Sequence, residues 1–64
     1  MICINGNKIE KSEIKLSDYL YENNIAESRI AVEINGRILP KKQYSKTVLK
    51  DNDSVEIVSF VGGG

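Results

Sequence analysis

The last strand-like segment of the chain carries apolar side chains on both of its faces. Within the stretch 55–61, Val55 and Ile57 point to one face, whereas Val58 and Phe60 point to the other. A strand with two apolar faces is expected in the middle of a sheet rather than at its edge. The end of the chain is therefore predicted to insert into a sheet that earlier segments have built.

Two Asn-Gly pairs, at positions 5–6 and 35–36, each separate two strand-like segments. Asn and Gly are the residues that best tolerate the positive φ of a type I′ hairpin turn. The first pair is predicted to join a strand over 1–4 to a returning strand over 8–11, with Ile9 facing the core.

The second pair joins a strand over 29–35 to a returning strand over 37–39. The first of these strands alternates, with three apolar residues on one face: Ile30, Val32 and Ile34. This period of two is typical of a half-buried strand. Pro40 ends the returning strand because proline has no N–H to donate to a sheet.

One short helix is predicted between the two hairpins, over residues 16–23. Leu16, Tyr19 and Leu20 recur at helical spacing and form one apolar face. Asn23-Asn24 supplies the stop, since asparagine accepts the left-handed conformation found after helix ends.

The segment 41–49 is predicted to be a polar crossover that leads to the last strand. Tyr44, Val48 and Leu49 are its expected apolar anchors, and Asp51-Asn52-Asp53 is a turn cluster.

These elements predict an α+β domain over residues 1–61, followed by a flexible tail over residues 62–64. Patterns alone leave a few topologies open. If the last strand lies between the first and third strands, parallel to the first, the result is a mixed five-strand sheet packed on one short helix. That arrangement is a β-grasp, the ubiquitin-like fold.

Charge and composition exclude several classes of function. Nine basic residues balance nine acidic residues, so the chain lacks the positive field that nucleic acids and anionic membranes attract. The longest apolar run, 1–4, is too short for a signal peptide or a membrane span, and we expect a cytoplasmic protein. There is no histidine, and Cys3 is the single cysteine, so neither a metal site nor an internal disulfide is expected.

The chain ends in Gly62-Gly63-Gly64. With residue 61, these glycines would form an arm that reaches roughly 13 Å and passes through a channel too narrow for other residues. The arm would present a carboxylate, which becomes an acyl donor once it is converted to an acyl-adenylate. The alternative is a frayed terminus or a cloning remnant, which the glycines alone do not exclude.

The whole chain resembles the ThiS family, the sulfur carriers of thiamin thiazole formation. The resemblance lies in the strand, Asn-Gly turn and strand at 30–41, and in the acidic turn, last strand and glycine tail at 51–64. It implies a β-grasp fold and a chain that is not itself an enzyme. Tyr44 stands where an aromatic residue, often Trp, is expected in the family.

The resemblance also implies how the tail would act. An E1-like adenylating enzyme (ThiF-like) would use ATP to adenylate Gly64, and a persulfide donor would convert the adenylate to a thiocarboxylate. A thiazole synthase (ThiG-like) would then receive the sulfur. Gly63 and Gly64 match the functional pair of the family, Gly62 lengthens the arm, and no cofactor is bound by the chain itself.

Two groups of residues are candidates for partner docking. Val58 and Phe60, with Ala31, would expose apolar area on the sheet face away from the helix, next to the tail. A basic cluster could dock an acidic patch, although such runs are more often solvated faces: Arg37, Lys41, Lys42 and Lys46. Cys3 is interpreted as structural rather than as a sulfur-relay thiol.

Three other functions share this fold or tail. The small subunit of molybdopterin synthase, MoaD, uses the same thiocarboxylate chemistry, although its chains are typically longer. A ubiquitin-like modifier would link its last glycine to a lysine of another protein. A β-grasp interaction module would carry an idle tail.

Overall fold

A computed structural model describes residues 1–60 and contains seven strands, one α-helix and two 3₁₀-helices within that range. The strands are, in chain order, β1 (Ile2–Ile4), β2 (Asn7–Ile9), β3 (Glu13–Lys15), β4 (Ile30–Ile34), β5 (Arg37–Leu39), β6 (Val48–Lys50) and β7 (Ser54–Ser59). Helix α1 spans Leu16–Glu22, and the 3₁₀-helices span Glu27–Arg29 and Lys41–Lys46.

Five of the strands form a mixed sheet of order β2-β1-β7-β4-β5. Strand β7 lies in the centre, parallel to β1 and antiparallel to β4. The predicted position of the last strand is therefore confirmed, and with it the α+β β-grasp arrangement. The predicted boundary between a domain at 1–61 and a tail at 62–64 falls outside the described residues.

Both hairpin turns adopt the backbone conformation predicted from their Asn-Gly pairs. The φ angles are 51° and 81° at Asn5 and Gly6, and 53° and 84° at Asn35 and Gly36. Four left-handed residues in two turns favour the type I′ geometry that matches the twist of the flanking strands. The returning strand of the first hairpin is shorter than predicted, because the chain bends away from β1 after Ile9.

Helix α1 is fixed by its buried face and by its C-terminal cap. Leu16 and Leu20 are buried. Asn24 has φ 57°, and its N–H donates to the Tyr21 carbonyl at 3.2 Å, while the N–H of Ile25 donates to the Leu20 carbonyl at 2.9 Å. These two bonds form a Schellman cap, which confirms the predicted stop at Asn23-Asn24.

A second, two-stranded sheet was not predicted from the sequence. Strands β3 and β6 pair antiparallel, with Ile14 opposite Leu49. The predicted crossover 41–49 is therefore a 3₁₀-helix followed by the start of a strand. Its anchors are confirmed in Tyr44 and Leu49, which are buried, and Val48 is half-buried.

The hydrophobic core lies between α1 and one face of the main sheet. The sheet contributes alternate residues of its central strands to this core: Ile2, Ile4, Ile30, Val32 and Val55. The opposite face, called here the open face, is not covered by any described element. Within the described residues, no helix is long and apolar enough to cross a membrane.

Candidate functional site

Strand β7 leads directly towards the predicted reactive tail. Gly62, Gly63 and Gly64 lie outside the described residues, so their predicted roles rest on the sequence. The last described position, Phe60, still donates its N–H to the carbonyl of Arg29 at 2.8 Å. The chain therefore stays paired in the centre of the sheet up to Phe60.

Asn5 extends the pairing of β7 beyond the point where β1 ends. Its backbone N–H donates to the Val55 carbonyl at 2.9 Å. Its side-chain Nδ2 donates to the Ile57 carbonyl at 3.2 Å, and its Oδ1 accepts from the Ile57 N–H at 2.8 Å. The side-chain amide therefore replaces a backbone peptide group and satisfies both polar groups of Ile57.

Asn35 holds the start of β7 in a similar way. Its N–H donates to the Ser54 carbonyl at 2.8 Å, and its Oδ1 accepts from the Ser54 N–H at 2.9 Å. Its Nδ2 donates to the Asp53 carboxylate at 3.1 Å. The sequence predicted both asparagines in the turns, but these contacts could not be predicted because they depend on strand register.

The open face next to the tail exposes apolar side chains, as predicted. Val58 is 55% exposed and Phe60 is 53% exposed, and Val58 lies opposite the half-buried Ala31 of β4. Ile38 of β5, which is 76% exposed, belongs to the same face because it lies opposite Glu33. Ile38 was not among the predicted docking residues, although its place on a short strand that ends before Pro40 indicates an edge strand.

The structure places Arg37 apart from the other residues of the predicted basic cluster. Arg37 alternates with Ile38 on β5 and therefore points to the opposite side of the sheet. The Nζ of Lys41 donates to the Ser28 carbonyl at 3.2 Å. The next residue, Arg29, accepts a hydrogen bond from the Phe60 N–H through its carbonyl. Lys41 therefore lies at the end of the sheet where β7 ends. Lys42 and Lys46 are exposed on the 3₁₀-helix that begins at Lys41.

Cys3 is half-buried on the open face and lies opposite Lys8 of β2 and Ser54 of β7. It lines a shallow cleft of about 260 Å³ together with Met1 and Asn52. Because Ser54 begins β7, Cys3 is roughly 20 Å along the strand from Phe60 at 3.3 Å per residue. Within residues 1–60, no group of three or more potential metal ligands comes together.

A mixed five-stranded sheet of this order on one helix, with the chain's end leaving its central strand, defines a ubiquitin-like β-grasp protein. The chain belongs to the ThiS family, whose model matches residues 2–64. It is similar to the crystal structure of the thiamine biosynthesis protein ThiS from Geobacter metallireducens. That similarity has a TM-score of 0.74 and 28% identity, and it covers 98% of this chain and 97% of the other.

Two curated relatives differ from each other in length. The sulfur carrier protein ThiS of Bacillus subtilis is 35% identical over 66 residues, which cover 100% of both chains. The thiazole synthase of Paramagnetospirillum magneticum is 36% identical over 64 residues, which cover 98% of this chain but 20% of that protein. In the second relative, a segment similar to this whole chain is part of a much longer polypeptide.

Proposed function

We propose that the carboxylate of Gly64 carries sulfur, as a thiocarboxylate, for thiazole formation in thiamin biosynthesis. The role of sulfur carrier in this pathway follows from membership of the ThiS family. The observation that best supports the use of the tail is the position of β7. A central strand that stays paired until Phe60 delivers the glycines from a fixed point on the body.

The proposed chemistry has three steps, the first of which is at the Gly64 carboxylate. A carboxylate oxygen attacks the α-phosphorus of ATP, pyrophosphate leaves, and an acyl-adenylate forms. The terminal sulfur of a persulfide then displaces AMP to give an acyl disulfide. A second thiol cleaves its S–S bond, which leaves the thiocarboxylate on the chain and a disulfide on the donor.

In this proposal, the partners supply the catalytic groups. The chain has no histidine to act as a general base near neutral pH. An adenylating enzyme would bind the ATP, and a thiazole synthase would receive the sulfur. Val58 and Phe60, together with Ile38, are the proposed apolar contacts for docking, since all three are exposed on the open face of the sheet. Lys41, at the end of the sheet where β7 ends, is proposed as a secondary polar contact, as are its neighbour Lys42 and Arg37 of β5.

Intact-mass measurement tests the chemistry. The chain is incubated with the adenylating enzyme of the same organism, ATP and a persulfide donor. We expect a mass increase equal to the difference between sulfur and oxygen, and we expect fragmentation to locate it at Gly64. Oxidation adds nearly the same mass, so an incubation without ATP is the control. The same increase without ATP, or an increase located at Cys3, would contradict the proposal.

The acceptor of the sulfur separates this function from its alternatives. The thiocarboxylate form should support thiazole formation by the thiazole synthase but not product formation by a molybdopterin synthase large subunit. A protein modifier would instead accumulate in isopeptide-linked conjugates in a cell extract. Detection of such conjugates in place of the free thiocarboxylate would favour the modifier.

A further inference from the structure

Two carboxylates face each other at the centre of the open face. Glu33 of β4 lies directly opposite Glu56 of β7, and both side chains are exposed. Residues opposite each other on antiparallel strands have Cβ atoms about 4.5–5.5 Å apart, and like charges in these positions are destabilising. Within residues 1–60, the only salt bridge joins the Met1 ammonium to Asp51. Neither carboxylate therefore has a described cation within 4.0 Å.

Exposed apolar side chains flank the pair on β5 and on the side towards Phe60, whereas the polar residue Ser54 precedes Glu56 on the same face of β7. Ile38 flanks Glu33 on β5, and it is 76% exposed. Val58 and Ala31 form the next pair of β7 and β4 on the same face, towards the tail. Scattered apolar residues are normal on a surface, but these extend over three adjacent strands around the two carboxylates. Such a surface is typical of protein recognition.

We propose that Glu33 and Glu56 together bind a guanidinium group on the surface of the thiazole synthase, with Ile38 and Val58 packing around it. An arginine fits two carboxylates in an apolar setting because its planar fork donates several hydrogen bonds and is weakly hydrated. Arginine is also enriched at protein interfaces, whereas an acidic face repels nucleic acid. This inference rests on the proposed function, because the partner is the enzyme that receives the sulfur.

Two of the relatives support the thiazole synthase as the partner in this proposal. In the Paramagnetospirillum magneticum protein named thiazole synthase, a segment similar to 98% of this chain accounts for 20% of the polypeptide. A second thiazole synthase, from Magnetococcus marinus, matches over 39 residues at 38% identity. A carrier module and a synthase in one polypeptide stay at high effective concentration, which permits a durable contact between them.

The proposal predicts opposite effects on stability and on binding. Removal of either charge relieves the repulsion in the free chain, so the free energy of unfolding should stay equal or rise. The same change removes a charge-assisted bond to the partner and should weaken the complex. A merely structural role would move both quantities in the same direction.

The test compares E33Q, E56Q and the double variant with the wild type. Affinity for the purified thiazole synthase of the same organism is measured by calorimetry at low and high salt, and stability is measured by urea unfolding. The matched control is E22Q, which removes an exposed carboxylate at the end of α1, on the covered side of the sheet. We expect the double variant to bind about tenfold or more weakly, with a reduced salt dependence and undiminished stability.

Three results would overturn the inference. The first is an unchanged affinity of the double variant for the thiazole synthase, including the case in which only the adenylating enzyme binds more weakly. The second is an equal loss in E22Q, and the third is a loss of stability in both single variants. The ATP-dependent mass increase of the wild type is measured separately, so a failure of the sulfur-carrier chemistry is distinguished from a failure of this docking contact.

Discussion

Asn5 and Asn35 each serve two purposes in the fold, one through the backbone and one through the side chain. Both residues adopt positive φ in a hairpin turn, which asparagine tolerates better than most residues. Both side chains also bond to the backbone of β7, Asn5 at Ile57 and Asn35 at Ser54. The residues that reverse the chain therefore also fix the strand that leads to the tail.

Substitutions at Asn5 should separate these two purposes. We expect N5G to lower the free energy of unfolding by about 1 kcal/mol, because it keeps the positive φ but loses the two side-chain bonds to Ile57. We expect the free energy of unfolding of N5A to be about 1–2 kcal/mol lower than that of N5G, because a residue with a Cβ is strained in the left-handed conformation. Urea unfolding with unchanged slope measures both values. Equal stabilities of N5A and the wild type, which both carry a Cβ, would show that the side-chain bonds contribute nothing.

Strand β7 combines a core-facing side and an exposed side within six residues. Val55 is 1% exposed in the core, whereas Val58 is 55% exposed on the open face. The sequence pattern correctly predicted a central position for the strand. Within the described residues, however, no element packs on the open face. The second apolar face of β7 is thus available to a partner instead of packing within the chain.

A matched pair of substitutions tests this division of β7. We expect V55T to lower the free energy of unfolding by about 1–3 kcal/mol, since it buries a hydroxyl group among apolar side chains. The same change at Val58 should stay within about 0.5 kcal/mol, as expected for a surface position. V58T should nevertheless weaken binding to the thiazole synthase, measured by calorimetry. Equal destabilisation by the two variants would contradict the assignment of the faces.

The elements that the sequence predicted are those with a strong local signal. Two Asn-Gly turns, a short amphipathic helix with an Asn stop and a two-faced last strand left a few topologies for the main sheet, and the resemblance to the ThiS family favoured the β-grasp among them. Strands β3 and β6 were missed because three residues are too few to show a period, and their pairing joins Ile14 to Leu49 across the chain. The Glu33–Glu56 pair was missed for a related reason, since only the strand register brings the two residues together.

At the scale of the whole molecule, the core and the proposed chemistry occupy separate parts of the chain. The buried residues of the described structure run from Ile2 to Val55. A domain of this size is expected to have a stability of only about 3–10 kcal/mol, at 0.05–0.15 kcal/mol per residue. With a single cysteine, it has no internal disulfide to compensate for losses in the core. Substitutions outside the core should therefore alter function without lowering the free energy of unfolding. Substitutions within the core should lower the free energy of unfolding and, with it, function.

This separation gives a prediction for the end of the chain. Deletion of 62–64, or addition of one alanine after Gly64, should leave the free energy of unfolding within about 0.5 kcal/mol of the wild type, because both variants keep every buried residue of the described structure. Both variants should lose the ATP-dependent mass increase, since the deletion removes the arm and the alanine moves the carboxylate away from Gly64. Urea unfolding and intact mass check the two parts independently. If the alanine variant still gained sulfur at its new terminus, the requirement would be for a free carboxylate of sufficient reach, and Gly64 itself would not be essential.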